Sequence, residues 1–142
     1  MDLTLHVLGP GDHALLCAVP EGLFDNPVDP AQARRFLDDP LHHMVLAFVD
    51  DLAVGMASGT VLYHPDKMPS FFINEVGTRD EWTRKGVATA LCNRLIALAR
   101  ELGCDGGIWL GTEADNDAAI ALYRSLKGDE VPGVYFGWDD AL

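Results

Sequence analysis

The residues with the clearest capacity for chemistry lie in Arg84-Lys85-Gly86-Val87-Ala88-Thr89. Two cations precede a single glycine, and small residues follow it at the head of an amphipathic run. Backbone N–H groups at a helix start have no intrahelical acceptor and carry partial positive charge, so such a stretch can bind an anion of phosphate size. Residue order disfavours two familiar phosphate loops. A Walker loop requires Gly-x-x-x-x-Gly-Lys-Ser/Thr, whereas here Lys85 precedes the only glycine. A dinucleotide fingerprint requires three spaced glycines. What remains is a pyrophosphate cradle that works without a catalytic metal, or an ordinary strand–turn–helix junction. The helix end contributes about 0.3–2 kcal/mol, so direct N–H hydrogen bonds must supply most of the grip on an anion.

Such a cradle needs a strand before it and a long helix after it, and the chain provides both. Residues 71–78 read as a strand. Val87, Leu91, Leu95, Leu98 and Leu102 recur at helical spacing, and Gly103 suits the end of that helix. Upstream, alternation predicts a strand at 4–8. Asp12 has the type of an N-cap for a first helix, and Asp29-Pro30 opens a second that Asp39-Pro40 closes. Residues 44–49 and 52–62 form an apolar pair of strands around Asp50-Asp51. Downstream come a strand at 107–111, a helix capped by Asp115 or Asn116, and a last strand at 134–138. Trp109 and Trp138 are expected in the core of these strands, while Trp82 precedes the cradle. The order β-α-α-β-β-β-α-β-α-β gives a mixed α/β class, α+β-like, with an antiparallel meander in its middle. Residues 1–142 are expected to form a single domain.

Net charge is −12, from 10 Lys and Arg against 22 Asp and Glu. That argues against sequence-independent nucleic-acid binding, which needs a basic surface. It permits a cationic small molecule or peptide as partner through long-range steering, and equally it could only confer solubility. No apolar run approaches the roughly 20 residues that span a bilayer, so no membrane partner is expected. The first residues have neither the basic nor the apolar region of a signal peptide. Three scattered cysteines suggest free thiols in a reducing cytoplasm. His42-His43 lacks further ligands at metal spacing, so no metal is expected. Cys92 is expected to pack inside its helix.

A second motif, Asn116-x-x-Ala119-x-x-Leu122-Tyr123-x-x-Leu126, follows the next strand. Together with Arg84-x-Gly86-x-Ala88 it resembles the GNAT superfamily of acyl-CoA N-acyltransferases, the cradle matching motif A and the later helix motif B. The resemblance covers residues 71–126. From Asn74 to Leu91 it is most similar to the small bacterial aminoglycoside 3-N-acetyltransferases. It implies a GNAT-type central mixed sheet with splayed strands at the cofactor site and helices on both faces. It also implies an acetyl-CoA-dependent N-acetyltransferase acting on a primary amine by direct attack in a ternary complex. Acetyl-CoA would lie between the third and fourth strands of the meander region. Val76, Gly77 and Thr78 would pair with the pantetheine arm, and an N–H near Val76 would face the thioester oxygen. Arg84, Lys85, Gly86, Val87, Ala88 and Thr89 would hold the pyrophosphate, with Asn116 on the cofactor arm or only capping its helix.

Glu75 is then the candidate general base, directly or through water, or else a partner of Arg79. Tyr123 is the candidate acid for the leaving thiolate. Glu113 and Asp115 are rival carboxylates that could bind a cationic acceptor or cap the helix. Resemblance also implies a homodimer. Two positions depart from the family: Thr83 stands where Gln or Arg is frequent, and Lys127, followed by Gly128, stands where Gly is usual. The acceptor could be a small amine or a protein amine. A non-catalytic acyl-CoA-sensing module is the alternative of another class.

Overall fold

The apolar runs form a five-stranded sheet in the computed structural model, which describes residues 2–142. The chain divides into two compact units, Met1–Gly111 and Thr112–Leu142. The first carries β1 (Leu3–Val7), β2 (His42–Val49), β3 (Leu52–Leu62), β4 (Ser70–Thr78) and β5 (Ile108–Trp109). Sheet order follows chain order. β1 to β4 are antiparallel neighbours, and β5 joins β4 in parallel. The same unit holds helices α1 (His13–Cys17), α2 (Pro30–Asp38) and α3 (Val87–Glu101). The second unit holds α4 (Asp117–Ser125).

Helices cover both faces of the sheet because successive strand residues point to opposite sides. Val45 and Ala47 share one core with Val54, Ala57 and Phe71, and α3 seals it with Val87, Leu91, Leu95 and Leu98. Met44, Leu46 and Met56 face the other way into a second core with Leu16 of α1 and Ala33 and Leu37 of α2. Leu91 and Leu95 are fully buried, and each such burial stabilises by about 1.5–3 kcal/mol. Gly55 lets α3 come close to the sheet: a Cβ there would meet Val87 Cγ1 at 2.7 Å and Leu91 Cδ1 at 2.8 Å. The helix that opens with the cradle is thus seated by its first turn on β3.

Four expectations need correction. Residues 134–138 form no strand. Isolated strands are not stable without a ladder partner, and none pairs with this segment among the described residues. Pro132, Gly133 and Gly137 weaken it further. The strand at 107–111 shortens to Ile108–Trp109. Trp109 and Trp138 are not core: they are 53% and 76% exposed, and Trp109 instead sets its ring 4.4 Å from that of Phe72. Asp12 stands at the start of α1, but its carboxylate makes no cap bond there. It accepts the Gly9 N–H at 2.8 Å and lies 3.3 Å from His6.

Candidate functional site

β4 changes character halfway along. Its first half has neighbours on both sides, since Phe71 and Phe72 pair with Ile108 and Trp109 of β5. β5 then ends, and the rest of β4 has only β3 beside it. The register slips at the same place. Ser58 opposes Glu75 while Gly59 opposes Ile73, so Asn74 is an extra residue. A bulge of this kind bends its strand and re-aims side chains. Two contacts fix it. The Asn74 amide and Thr60 hydroxyl bond at 3.0–3.1 Å. A Cβ at Gly59 would run into the Phe71 ring, so only glycine fits under that ring. Past the bulge, Val76, Gly77 and Thr78 remain in register with Ala57, Met56 and Gly55. Consecutive peptide groups of a strand point to opposite edges, so part of this segment's main-chain N–H and C=O faces away from β3.

Glu75 is exposed just past the bulge. Its carboxylate has no hydrogen bond or ion pair among the described residues. It does not pair with Arg79, whose guanidinium is occupied by main-chain carbonyls of Ala53, Glu21 and Pro20. The sequence offers Arg79 only as a possible partner for Glu75, and its bonds to three distant carbonyls are not visible there. Its one visible signal is an arginine directly after an apolar strand and before a short turn.

The cradle follows a 3₁₀ turn at Asp80–Trp82. Arg84 has φ +60 and Gly86 φ +81, so the chain turns through two left-handed residues within three positions. Glycine adopts this freely, whereas for arginine it costs about 1–2 kcal/mol. Gly86 is the N-cap of α3 and supplies no side-chain bond. The first main-chain bond of the helix runs from the Ala90 N–H to the Gly86 carbonyl at 3.0 Å, which leaves the N–H groups of Val87, Ala88 and Thr89 open. Arg84 and Lys85 are exposed. Lys85 Nζ stands 5.0 Å over the Trp82 ring, so Trp82 holds one of the two cations at the cradle.

In the second unit, Asn116 and not Asp115 caps α4: its Oδ1 accepts the Ala119 N–H at 3.2 Å. Tyr123 lies two turns along the same helix and is half-buried. Glu113 and Asp115 are exposed on the segment before it. Lys127 takes φ +68 at the end of α4, the left-handed conformation that glycine favours there. Gly128 donates its N–H to the Tyr123 carbonyl at 3.1 Å, so the lysine is accommodated and the helix ending is kept. Arg124 grips Glu130 with two bonds of 2.8 and 2.9 Å, which holds the Glu130 carboxyl below the usual carboxylate range.

Other groups have structural explanations. Cys92 is buried against the sheet, and burial pushes its thiol up to about 11, unsuited to a thiolate nucleophile. Burial likewise lowers the pKa of His43, whose Nε2 has no hydrogen-bond partner. Among the described residues no group of three or more His, Cys, Asp or Glu could hold a metal ion, and no helix is long and apolar enough to cross a membrane.

The chain resembles known proteins in sequence and in fold. The model of the Acetyltransferase (GNAT) family matches residues 13–128. The N-alpha-acetyltransferase RimI of Mycobacterium tuberculosis is 33% identical over 104 residues, covering 72% of this chain. The chain spans only 61% of that relative's length. An aminoglycoside acetyltransferase from an uncultured soil metagenomic sample superposes with a TM-score of 0.86 at 23% identity, over 99% of this chain and 100% of that one. The aminoglycoside N-acetyltransferase AAC(6')-Iy, solved with a CoA-linked bisubstrate analogue, gives 0.81 at 17% identity, over 99% and 100% of the two chains. At these identities the solved structures speak for the fold.

Proposed function

The chain belongs to the Acetyltransferase (GNAT) family, and from that premise we propose that it is an N-acetyltransferase, a single catalytic domain that moves the acetyl group of acetyl-CoA to a primary amine. One observation carries the reading: the strand segment whose edge is left open beyond Phe72 runs, through one short turn, into a helix start whose N–H groups are also open. These features suit the two halves of acetyl-CoA, an amide-bearing arm and a pyrophosphate. Arg84, Lys85 and the amides of 87–89 would bind the pyrophosphate. Main-chain groups of Val76, Gly77 and Thr78 would bind the arm. Asn116 would offer its Nδ2–H to the cofactor, because its Oδ1 serves the cap.

In the ternary complex the amine nitrogen attacks the thioester carbon. A C–N bond forms, the C–S bond breaks, and an N–H near Val76 would stabilise the oxyanion. Such donors are worth about 2.7–4 kcal/mol in other enzymes. The amine's proton leaves to Glu75, directly or through water, and the departing thiolate takes a proton from Tyr123. The role of Tyr123 rests on the motif that carries it.

For the acceptor we propose a small cationic amine. The net charge of −12 and the exposed Glu113 and Asp115 support it. The similarity to proteins described as aminoglycoside acetyltransferases is compatible with it. The 3-N position on such a ring is the finer reading from the cradle sequence. A protein α-amine is the second reading, favoured by the relative named RimI. A cytoplasmic homodimer belongs to the proposal, supported by three free thiols and by the exposed Tyr135, Phe136 and Trp138.

The test is thiol release from acetyl-CoA in the presence of neamine, spermidine or a short peptide with an N-terminal alanine. The expected result is release with neamine or spermidine, lowered at least tenfold in Tyr123→Phe with acetyl-CoA binding kept. Binding without release for every amine would favour the sensing module.

A further inference from the structure

Arg79 is only 8% exposed, yet no carboxylate among the described residues lies within ion-pair reach of it. Its Nε donates to the Ala53 carbonyl at 2.7 Å, its Nη1 to Glu21 at 2.6 Å and its Nη2 to Pro20 at 2.7 Å. Its main-chain N–H donates to the Val54 carbonyl at 2.9 Å, and its carbonyl accepts the Trp82 N–H at 2.8 Å. One residue therefore ties together the start of β3, the end of β4, the turn before α3 and the loop between α1 and α2. Burying a charge is costly unless it is fully hydrogen-bonded, so an apolar side chain would fill this space more cheaply. What the guanidinium adds is a fork of donors for a loop that has no ladder of its own.

The loop, residues 18–29, is held at close range. Gly22 has φ +106, and a Cβ on it would lie 2.8 Å from Arg79 Nη1. Next to it the Leu23 carbonyl comes up to Gly77 of β4, 3.6 Å from where a Cβ would sit. The loop thus lies against the same end of β4 that has no β5 partner. It also walls a cleft of about 400 Å3, whose lining includes Cys17, Glu21, Phe24, Asp25 and Val28.

We infer that Arg79 is a positioning residue for the acceptor: it clamps the loop of residues 18–29 onto the end of β4 beside Gly77, and so fixes the loop that borders the approach of a cationic amine to the open stretch of that strand. The inference rests on the acetyltransferase reading above. It assigns Arg79 no contact with either substrate.

Arg79→Lys tests it, because one ammonium cannot reproduce a three-way fork. With neamine as acceptor, or the alanyl peptide if that is the amine turned over, KM for the amine rises at least tenfold. The dissociation constant of acetyl-CoA changes less than threefold. Hydrogen exchange of the 18–29 amides quickens at least tenfold, while α3 and β2 keep their protection. Gly22→Ala keeps the guanidinium but crowds it, and gives a smaller rise in KM with the same pattern; it decides the matter if Arg79→Lys does not fold. Unchanged amine KM, or equal losses for amine and acetyl-CoA, would overturn the inference. If the parent releases no thiol with any amine, the acetyltransferase reading falls, and exchange in the loop alone decides the clamp: faster supports it, unchanged removes it.

Discussion

Three helices of this chain open in two different ways. α2 begins on Asp29, whose carboxylate accepts the N–H groups of Ala31 and Gln32 at 2.9 and 3.2 Å. α4 begins on Asn116, whose side chain takes up the N–H of Ala119. α3 is the longest of the three, and it begins on Gly86 with no side chain to offer. A polar N-cap typically adds about 1 kcal/mol over alanine but only a few tenths over glycine, so with Gly86 as its cap α3 forgoes a small stabilisation that the starts of α2 and α4 keep. Its start also holds Arg84 in a left-handed conformation. The tertiary packing of Leu91 and Leu95 compensates, because buried apolar contact outweighs capping in a helix of this length. The open start is where a helix gives up its own satisfaction and can bind an external anion.

That contrast can be broken by giving α3 the kind of start its neighbours have. Gly86→Asp supplies an internal carboxylate for the open amides and repels phosphate. Acetyl-CoA affinity should fall about 100-fold, roughly 2.7 kcal/mol, measured by calorimetry, with the far-UV spectrum unchanged. Asn116→Asp sharpens the contrast from the other side. It keeps a cap oxygen and removes the Nδ2–H. Acetyl-CoA affinity should drop several-fold, about 1 kcal/mol for the loss of one hydrogen bond, while the melting temperature holds. If the melting temperature falls and affinity holds, Asn116 is only a cap. The smallest effect concerns the other end of α4. Lys127→Gly relieves a left-handed lysine and should raise stability by about 1 kcal/mol in urea unfolding, with thiol release unaffected.

The features legible in the sequence are those written in short-range pattern. Alternation located β1, continuous apolar runs on either side of Asp50-Asp51 located β2 and β3, helical spacing located α3, and Asp29-Pro30 marked the start of α2. The cradle was visible because glycine, cations and a helix start are contiguous. The features that escaped depend on distant partners. Arg79 finds its acceptors at Pro20, Glu21 and Ala53, none of which has a recognisable side chain in the interaction. The bulge at Asn74 is one extra residue fixed by a cross-strand bond to Thr60. The apolar and aromatic run at 134–138 looks like a strand, but a strand exists only when another pairs with it. Asp12 illustrates the same limit on a small scale, since a cap-type residue before a helix gave its carboxylate to Gly9 instead.

The most direct measurement is calorimetric titration of the parent protein with CoA and with pantetheine, which differ in the nucleotide end carrying the pyrophosphate. If the start of α3 holds that pyrophosphate, CoA binds at least about 100-fold more tightly, a difference near 2.7 kcal/mol. Equal affinity for the two would contradict the account, because the open amides of residues 87–89 and the cations Arg84 and Lys85 would then contribute nothing to holding the cofactor.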